Sequence, residues 1–201
     1  MIPILAVDDP EAARQFLANR FGFLPAGDGS VRLGDQRILV TAAGTLPADA
    51  IDLRLDHVAL KTGDADQCRA RLEARGARLC RGYTPEGPQD IPQIWEAGVR
   101  YVFFSGPEDW PMEFVARNGV APDSVSAGHD HIGIRTRQID VVAKRLASMG
   151  ATDLANYRIP GSGGVINVRF QRLGDTVFEL FDDPPTAEPQ AGTGWIGLVE
   201  A

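Results

Sequence analysis

Four residues have the types and the spacing to hold a metal ion. His131 follows His57 by 74 positions, and each is preceded by an aspartate. Glu179 follows Glu113 by 66 positions, and each sits between two large apolar residues, as MEF and FEL. Two imidazoles and two carboxylates suit a divalent ion of the Ni, Zn, Co, Mn or Fe class. A single histidine in a strand is more often structural than a ligand. Two in register, each with a glutamate in register, weigh more.

The register comes from an internal repeat, which must be settled before any motif is read. From Asp56 to Ala77 each position lies over the residue 74 further on without a gap, pairing Asp56/Asp130, His57/His131, Thr62/Thr136, Asp66/Asp140, Leu72/Leu146 and Gly76/Gly150. A second gapless block at an offset of 66 pairs Gly98/Gly164, Val102/Val168, Phe104/Phe170 and Glu113/Glu179. The eight-residue difference falls in the loop between the blocks.

The elements follow from pattern. Strands are expected over 55–62, 78–82, 98–105 and 110–116, with a helix from Asp64 to about Arg75 that Gly76 ends. The copy has strands over 130–136, 164–171 and 175–182 and a helix over 138–149, whose Ile139, Val142, Ala143, Leu146 and Met149 form one apolar stripe. Residues 1–45 read as a compact β-α-β-β version of the same unit, with Asp9-Pro10 starting its helix. There Ile2 and Leu39 stand where the later units have His and Glu. The expected division is therefore a ligand-less unit at 1–45, units at 54–118 and 129–184, and an irregular tail at 185–201 whose Trp195–Val199 could dock on an apolar surface. Residues 42–53 read as a linker.

Alternation along the strands sorts the side chains. Val58, Leu60, Ile132, Ile134, Met112, Phe114, Phe178 and Leu180 form the face under the helices, which leaves His57, His131, Glu113 and Glu179 together on the other. Ala59 and Gly133 leave room beside them. In the third strand of the copy, Ile166, Val168 and Phe170 are expected to pack inward. Asn167, Arg169 and Gln171 then join the histidine face, opposite Tyr101, Phe103 and Ser105 of the earlier unit. A cleft lined by Tyr101, Phe103, Lys61, Arg135, Asn167 and Arg169 would suit a small anionic molecule with an apolar part. The alternative for Asn167, Arg169 and Gln171 is a solvated strand face.

Composition bounds the rest. The 201 residues, 44% hydrophobic and 23% charged, are those of a globular protein with a substantial core. A net charge of −7 with no Lys/Arg cluster argues against nucleic acid. No apolar run reaches membrane-spanning length and the N-terminus lacks a signal-type pattern, so the expectation is a cytoplasmic protein without a membrane partner. Cys68 and Cys80 form no disulfide framework and read as reduced core residues.

The duplicated unit, opening with DH(V/I)x(L/I) and closing with (M/F)E(F/L), resembles the vicinal oxygen chelate superfamily, which includes glyoxalase I, bleomycin-resistance proteins and extradiol dioxygenases. The resemblance covers residues 54–184 well and 1–45 more weakly. It implies an α+β fold of repeated β-α-β-β-β units pairing into a U-shaped cleft sheet, with helices on the outer face. It also implies a metal held by His57, Glu113, His131 and Glu179. A set of two His and two Glu is similar to that of glyoxalase I. The implied protein is a divalent-metal-dependent lyase or isomerase that acts on a small oxygen-chelating, anionic substrate and assembles as a homodimer. Glu113 or Glu179 would serve as the catalytic base beside the ion. The alternatives are a metal-free ligand-binding or drug-resistance protein on the same scaffold and an extradiol-type dioxygenase. The dioxygenase is weakened because the remaining histidine, His129, is expected to point away from the metal positions. The superfamily usually has an even number of units, so the third, ligand-less one leaves open whether the four ligands meet within one chain.

Overall fold

The computed structural model describes residues 1–161, 163–183 and 192–200. In chain order its elements are β1 (Ile2–Val7), α1 (Pro10–Phe16), β2 (Leu24–Pro25), β3 (Ser30–Leu33), β4 (Gln36–Ala42), β5 (Ile51–Asp52), β6 (His57–Lys61), α2 (Ala65–Ala74), β7 (Arg78–Leu79), β8 (Gln89–Ile91), β9 (Val99–Ser105), β10 (Pro111–Arg117), β11 (Gly128–Arg135), α3 (Ile139–Ser148), β12 (Thr152–Gly161), β13 (Gly164–Leu173), β14 (Thr176–Phe181) and β15 (Gly194–Val199). The expected α+β architecture is present.

Two sheets carry the chain. The larger runs β12-β13-β14-β11-β6-β10-β9-β7, with β8 also on β9. Its centre is the antiparallel pair of β6 and β11, the two histidine strands, flanked by the glutamate strands β10 and β14, each parallel to its neighbour. This order is what two copies of one unit give when their first strands pair. Beneath the sheet, Val58, Leu60, Met112, Phe114, Ile132, Ile134, Phe178 and Leu180 join Cys68 and Leu72 of α2 and Ala143 and Leu146 of α3 in one core. The predicted apolar face is therefore the helix face. Asp64 caps α2 by accepting the Gln67 N–H at 2.9 Å, and Asp9 caps α1 by accepting that of Ala12 at 3.0 Å.

The smaller sheet has the order β2-β3-β4-β1-β15-β5. It corrects the reading of the tail as irregular. Residues 194–199 are a strand antiparallel to β1, with Val199 opposite Ile2, while 185–191 lie outside the described residues. Trp195 is 1% exposed and donates its indole N–H to the Pro111 carbonyl at 3.1 Å, which fastens this strand to the larger sheet. The segment expected as a linker contributes β5, on the other edge of β15. The strand expected over 78–82 ends at Leu79, and the chain leaves the sheet until β9 apart from the short β8.

Candidate metal centre

The four recurring residues come from four adjacent strands and meet within one chain. Glu113 lies opposite Ala59 in the β10–β6 register, and Glu179 opposite Gly133 in the β11–β14 register, so each glutamate sits two residues along from its histidine. The carboxylate Oε2 of Glu113 is 3.0 Å from His57 Nε2 and 3.1 Å from His131 Nε2. Glu179 Oε2 is 3.8 and 3.4 Å from the same two nitrogens, which are 3.2 Å apart. Donor atoms of an ion with bonds of about 2.1 Å are separated by about 3.0 to 3.5 Å, so this donor set fits a divalent transition metal. Space is needed for it. A Cβ on Gly133 would lie 2.1 Å from His57 Cε1, so glycine at this position lets the imidazole cross the neighbouring strand.

The other nitrogen of each imidazole is held by the aspartate before it. His57 Nδ1 is 2.9 Å from Asp56 Oδ2, and His131 Nδ1 is 2.9 Å from Asp130 Oδ1. A carboxylate there fixes the tautomer that leaves Nε2 free for a ligand bond. Asp56 also accepts the Tyr83 hydroxyl at 2.8 Å and the Arg135 Nε–H at 2.7 Å. Sequence reasoning names Arg135 only as cleft lining and misses Asp56, Asp130 and Tyr83 as outer partners, although the repeated Asp-His dipeptide is the signal for both aspartates.

The electrostatics follow from burial and pairing. Burial opposes charge on His57, but its bonds to Asp56 and Glu113 outweigh it and raise the imidazole to about 9. His131 is likewise buried and is raised well above its ordinary value by Glu179, Asp130 and Glu113. Burial works against the charged form of Glu113 too, yet the two histidines hold it at about 2. Asp56, similarly buried, is held at about 2 by His57 and Arg135.

A cavity of about 520 Å³ opens from the cluster, lined by His57, Glu113, Glu179, Tyr101, Phe103 and Arg135 among others. Tyr101, Phe103 and Arg135 are thus where the sequence put them. Lys61, Asn167 and Arg169 are not. Lys61 is at the far end of β6, 3.7 Å from Asp35, outside the cavity wall. Asn167 and Arg169 lie on the opposite face of β13, where Arg169 pairs with Asp140 in the first turn of α3 and with Asp153. Ile166 and Val168 line the cavity instead. The cause is register. Phe103 faces Glu113 across β9–β10, and Phe170 faces Glu179 across β13–β14, so Phe170 is the partner of Phe103 and not of Phe104. The offset is 67 on this strand (170 less 103) but 66 at the glutamates (179 less 113), and one residue of slip exchanges the two faces.

His129 points away from the cluster, as expected, because of a bulge. In β6–β11 pairing His131 faces Ala59 and His129 faces Leu60, leaving Asp130 as the extra residue. Strict alternation would have put both histidines on the cleft side. His129 Nδ1 is 2.7 Å from Gln36 Oε1, and its Nε2 accepts the Val177 N–H at 3.0 Å. Burial and the charge of His131 lower it to about 4, so it docks the smaller sheet as a neutral ring.

No family model matches the chain. A lactoylglutathione lyase of Oryza sativa subsp. japonica is 28% identical over 140 residues, which are 68% of this chain and 45% of that protein. The chain thus spans less than half the length of the curated relative it matches. Glyoxalase I of Zea mays has a similar structure, with a TM-score of 0.65 at 14% identity over 96% of this chain and 70% of that one. A substituted 4-hydroxymandelate synthase of Streptomyces coelicolor gives a TM-score of 0.57 at 15% identity over 96% of this chain and 73% of that one. At such identities the structural likeness establishes the fold.

Proposed function

From a vicinal-oxygen-chelate fold with two imidazoles and two carboxylates gathered on its cleft face, we propose a divalent-metal-dependent, glyoxalase-like lyase or isomerase. Its substrate would be a small molecule with neighbouring oxygens. The observation that carries this reading is the convergence of four donor groups from four strands, with an aspartate behind each imidazole. An ion of the Ni, Zn, Co, Mn or Fe class bound there would polarise adjacent substrate oxygens and ease loss of a neighbouring proton.

The chain's own residues divide the remaining work. Glu113, wedged between both histidines at 3.0 and 3.1 Å, serves to hold the ion. Glu179 is farther from both imidazoles, at 3.8 and 3.4 Å, and faces the cavity, so its carboxylate is placed to take the proton and return it. Phe103 packs edge-on against His57 at 4.9 Å between ring centroids and screens the cluster from water. The reading carries the homodimer expected from sequence, which sedimentation checks directly.

Elemental analysis of protein purified without added metal or chelator tests the centre. About one equivalent of a transition metal in the parent and almost none in a His57→Ala/His131→Ala variant is expected. Hemithioacetals of methylglyoxal with a panel of thiols then test the activity, which Glu179→Gln should lower by about 10²- to 10⁴-fold. A parent that takes up none of these ions would sink the proposal.

A further inference from the structure

The wall of the cleft narrows the substrate. We infer that the cavity takes a molecule that chelates through two adjacent oxygens and has an uncharged, apolar body, and that it discriminates against a carboxylate on that body. This inference rests on reading His57, Glu113, His131 and Glu179 as the metal ligands. The cavity, at about 520 Å³, has the size of a small-molecule site. Away from the donors its wall includes Ile91, Pro92, Tyr101, Phe103, Ile166 and Val168, with Gln89, Asp90, Arg135 and Asp183 among them.

The ionisable groups on that wall already have partners. Asp90 is held by Arg100 at 2.6 Å. Arg135, the cation of the wall, has Asp56 at 2.7 Å and Asp183 at 3.2 Å, two carboxylates to one guanidinium. Lys61 and Arg169 pair with aspartates outside the cavity. The residues outside the described ranges, 162, 184–191 and 201, include no lysine or arginine. A substrate carboxylate would therefore lose its hydration without meeting an available cation, and would approach Asp183 and Asp90. An apolar body would replace water against aromatic and aliphatic side chains. Polar groups that remain, such as the Tyr101 hydroxyl on Gln89 Oε1 at 3.2 Å, are uncharged.

Two hydroxamates with one chelating head test this. Benzohydroxamic acid and 4-carboxybenzohydroxamic acid differ by one carboxylate on the body, and the Ile166→Lys variant separates its charge from its size. Each is titrated by calorimetry into zinc- or nickel-loaded protein whose metal content has first been measured. The uncharged ligand is expected to bind at least about tenfold more tightly. In an Ile166→Lys variant, which places a cation on the wall, the ratio should fall to about threefold or less. Equal or tighter binding of the carboxylated ligand to the parent would overturn the inference, as would failure of metal-loaded protein to bind either one. An unchanged ratio in Ile166→Lys would overturn wall charge as the cause. Protein that takes up no metal fails earlier, at elemental analysis, and removes the donor reading together with the inference built on it.

Discussion

The smaller sheet and the centre of the larger one are the same construction with different contents. In β1–β4, Leu39 faces Ile4, and in β10–β6, Glu113 faces Ala59. Ile2 therefore occupies the place of His57, and Leu39 the place of Glu113, as the repeat predicted. The correspondence extends to β15, which lies against β1 as β11 lies against β6. Val199 faces Ile2 where Gly133 faces His57, and each pairing shifts register after the next two residues. The C-terminal strand thus supplies the smaller sheet with the neighbour that a second unit supplies to the larger one. Where one sheet gathers polar donors, the other packs Ile2, Ile4 and Val199 into a small core, with Leu39, Ala50 and Ile196 against it. The smaller sheet closes on strand pairing and apolar packing. The donors of the larger sheet are an addition to a frame that holds by strand pairing and apolar packing.

Four substitutions and titrations would break or sharpen that contrast. The largest effect is expected from His57→Ala/His131→Ala, which should weaken metal uptake by more than about 100-fold while the circular dichroism spectrum stays that of the parent. Ile4→Ala, at a fully buried position of the metal-free sheet, should destabilise by about 2–5 kcal/mol in urea unfolding and leave metal stoichiometry at the parent value. Loss of metal from that variant would mean that the two sheets are not separable. Asp56→Asn keeps the shape but weakens the hold on His57, so metal affinity should fall by about 10- to 100-fold in a competition titration. An affinity equal to the parent's would show that the aspartate does not orient the ring.

The smallest effect is a pH dependence. His57 is raised to about 9, above its unfolded value, so its contribution to stability is complete below about pH 6.5 and is lost as pH rises through about 9. Glu113 and Asp56, held at about 2, contribute above their unfolded values near pH 4 and lose that contribution as pH falls toward 2. The melting temperature of chelator-treated protein should accordingly fall between pH 6.5 and 9, and the slope should flatten in the double-histidine variant. The same shift makes metal uptake rise with pH toward about 9, because the ion displaces a proton. A melting temperature constant from pH 6.5 to 9 would contradict the pairing of His57 with its carboxylates.

Much of this was legible in the sequence because repetition supplies registers that composition does not. His57, Glu113, His131 and Glu179 were each placed on the right face by alternation and by their copies. The third strands were harder. The connection from Ser105 to Pro111 spans residues 106–110, and the turn from Leu173 to Thr176 spans 174 and 175, so the two units differ in length just where the alignment looked continuous. Hydrophobicity reinforced the slip, because the cleft side of β13 is apolar: Ile166, Val168 and Phe170 face the cleft where the alignment assigned them to the helix side, and polar Asn167 and Arg169 face away from it. Asn167 and Arg169 were misplaced for this reason alone. The role of 194–199 was hidden for another. Its partner is at the opposite end of the chain, and nothing local in GWIGLV specifies which strand it will meet.

That pairing also imposes an order of assembly. Every strand of the larger sheet lies between residues 57 and 181, so its strand pairing is complete within that stretch. The smaller sheet must wait, because β1 gains its second neighbour only when residues 194–199 arrive from the other end. Such a closure is slow in proportion to its sequence separation. The strand frame that would bind the ion thus depends on no pairing beyond residues 57–181, whereas the smaller sheet is closed by strands about 190 residues apart.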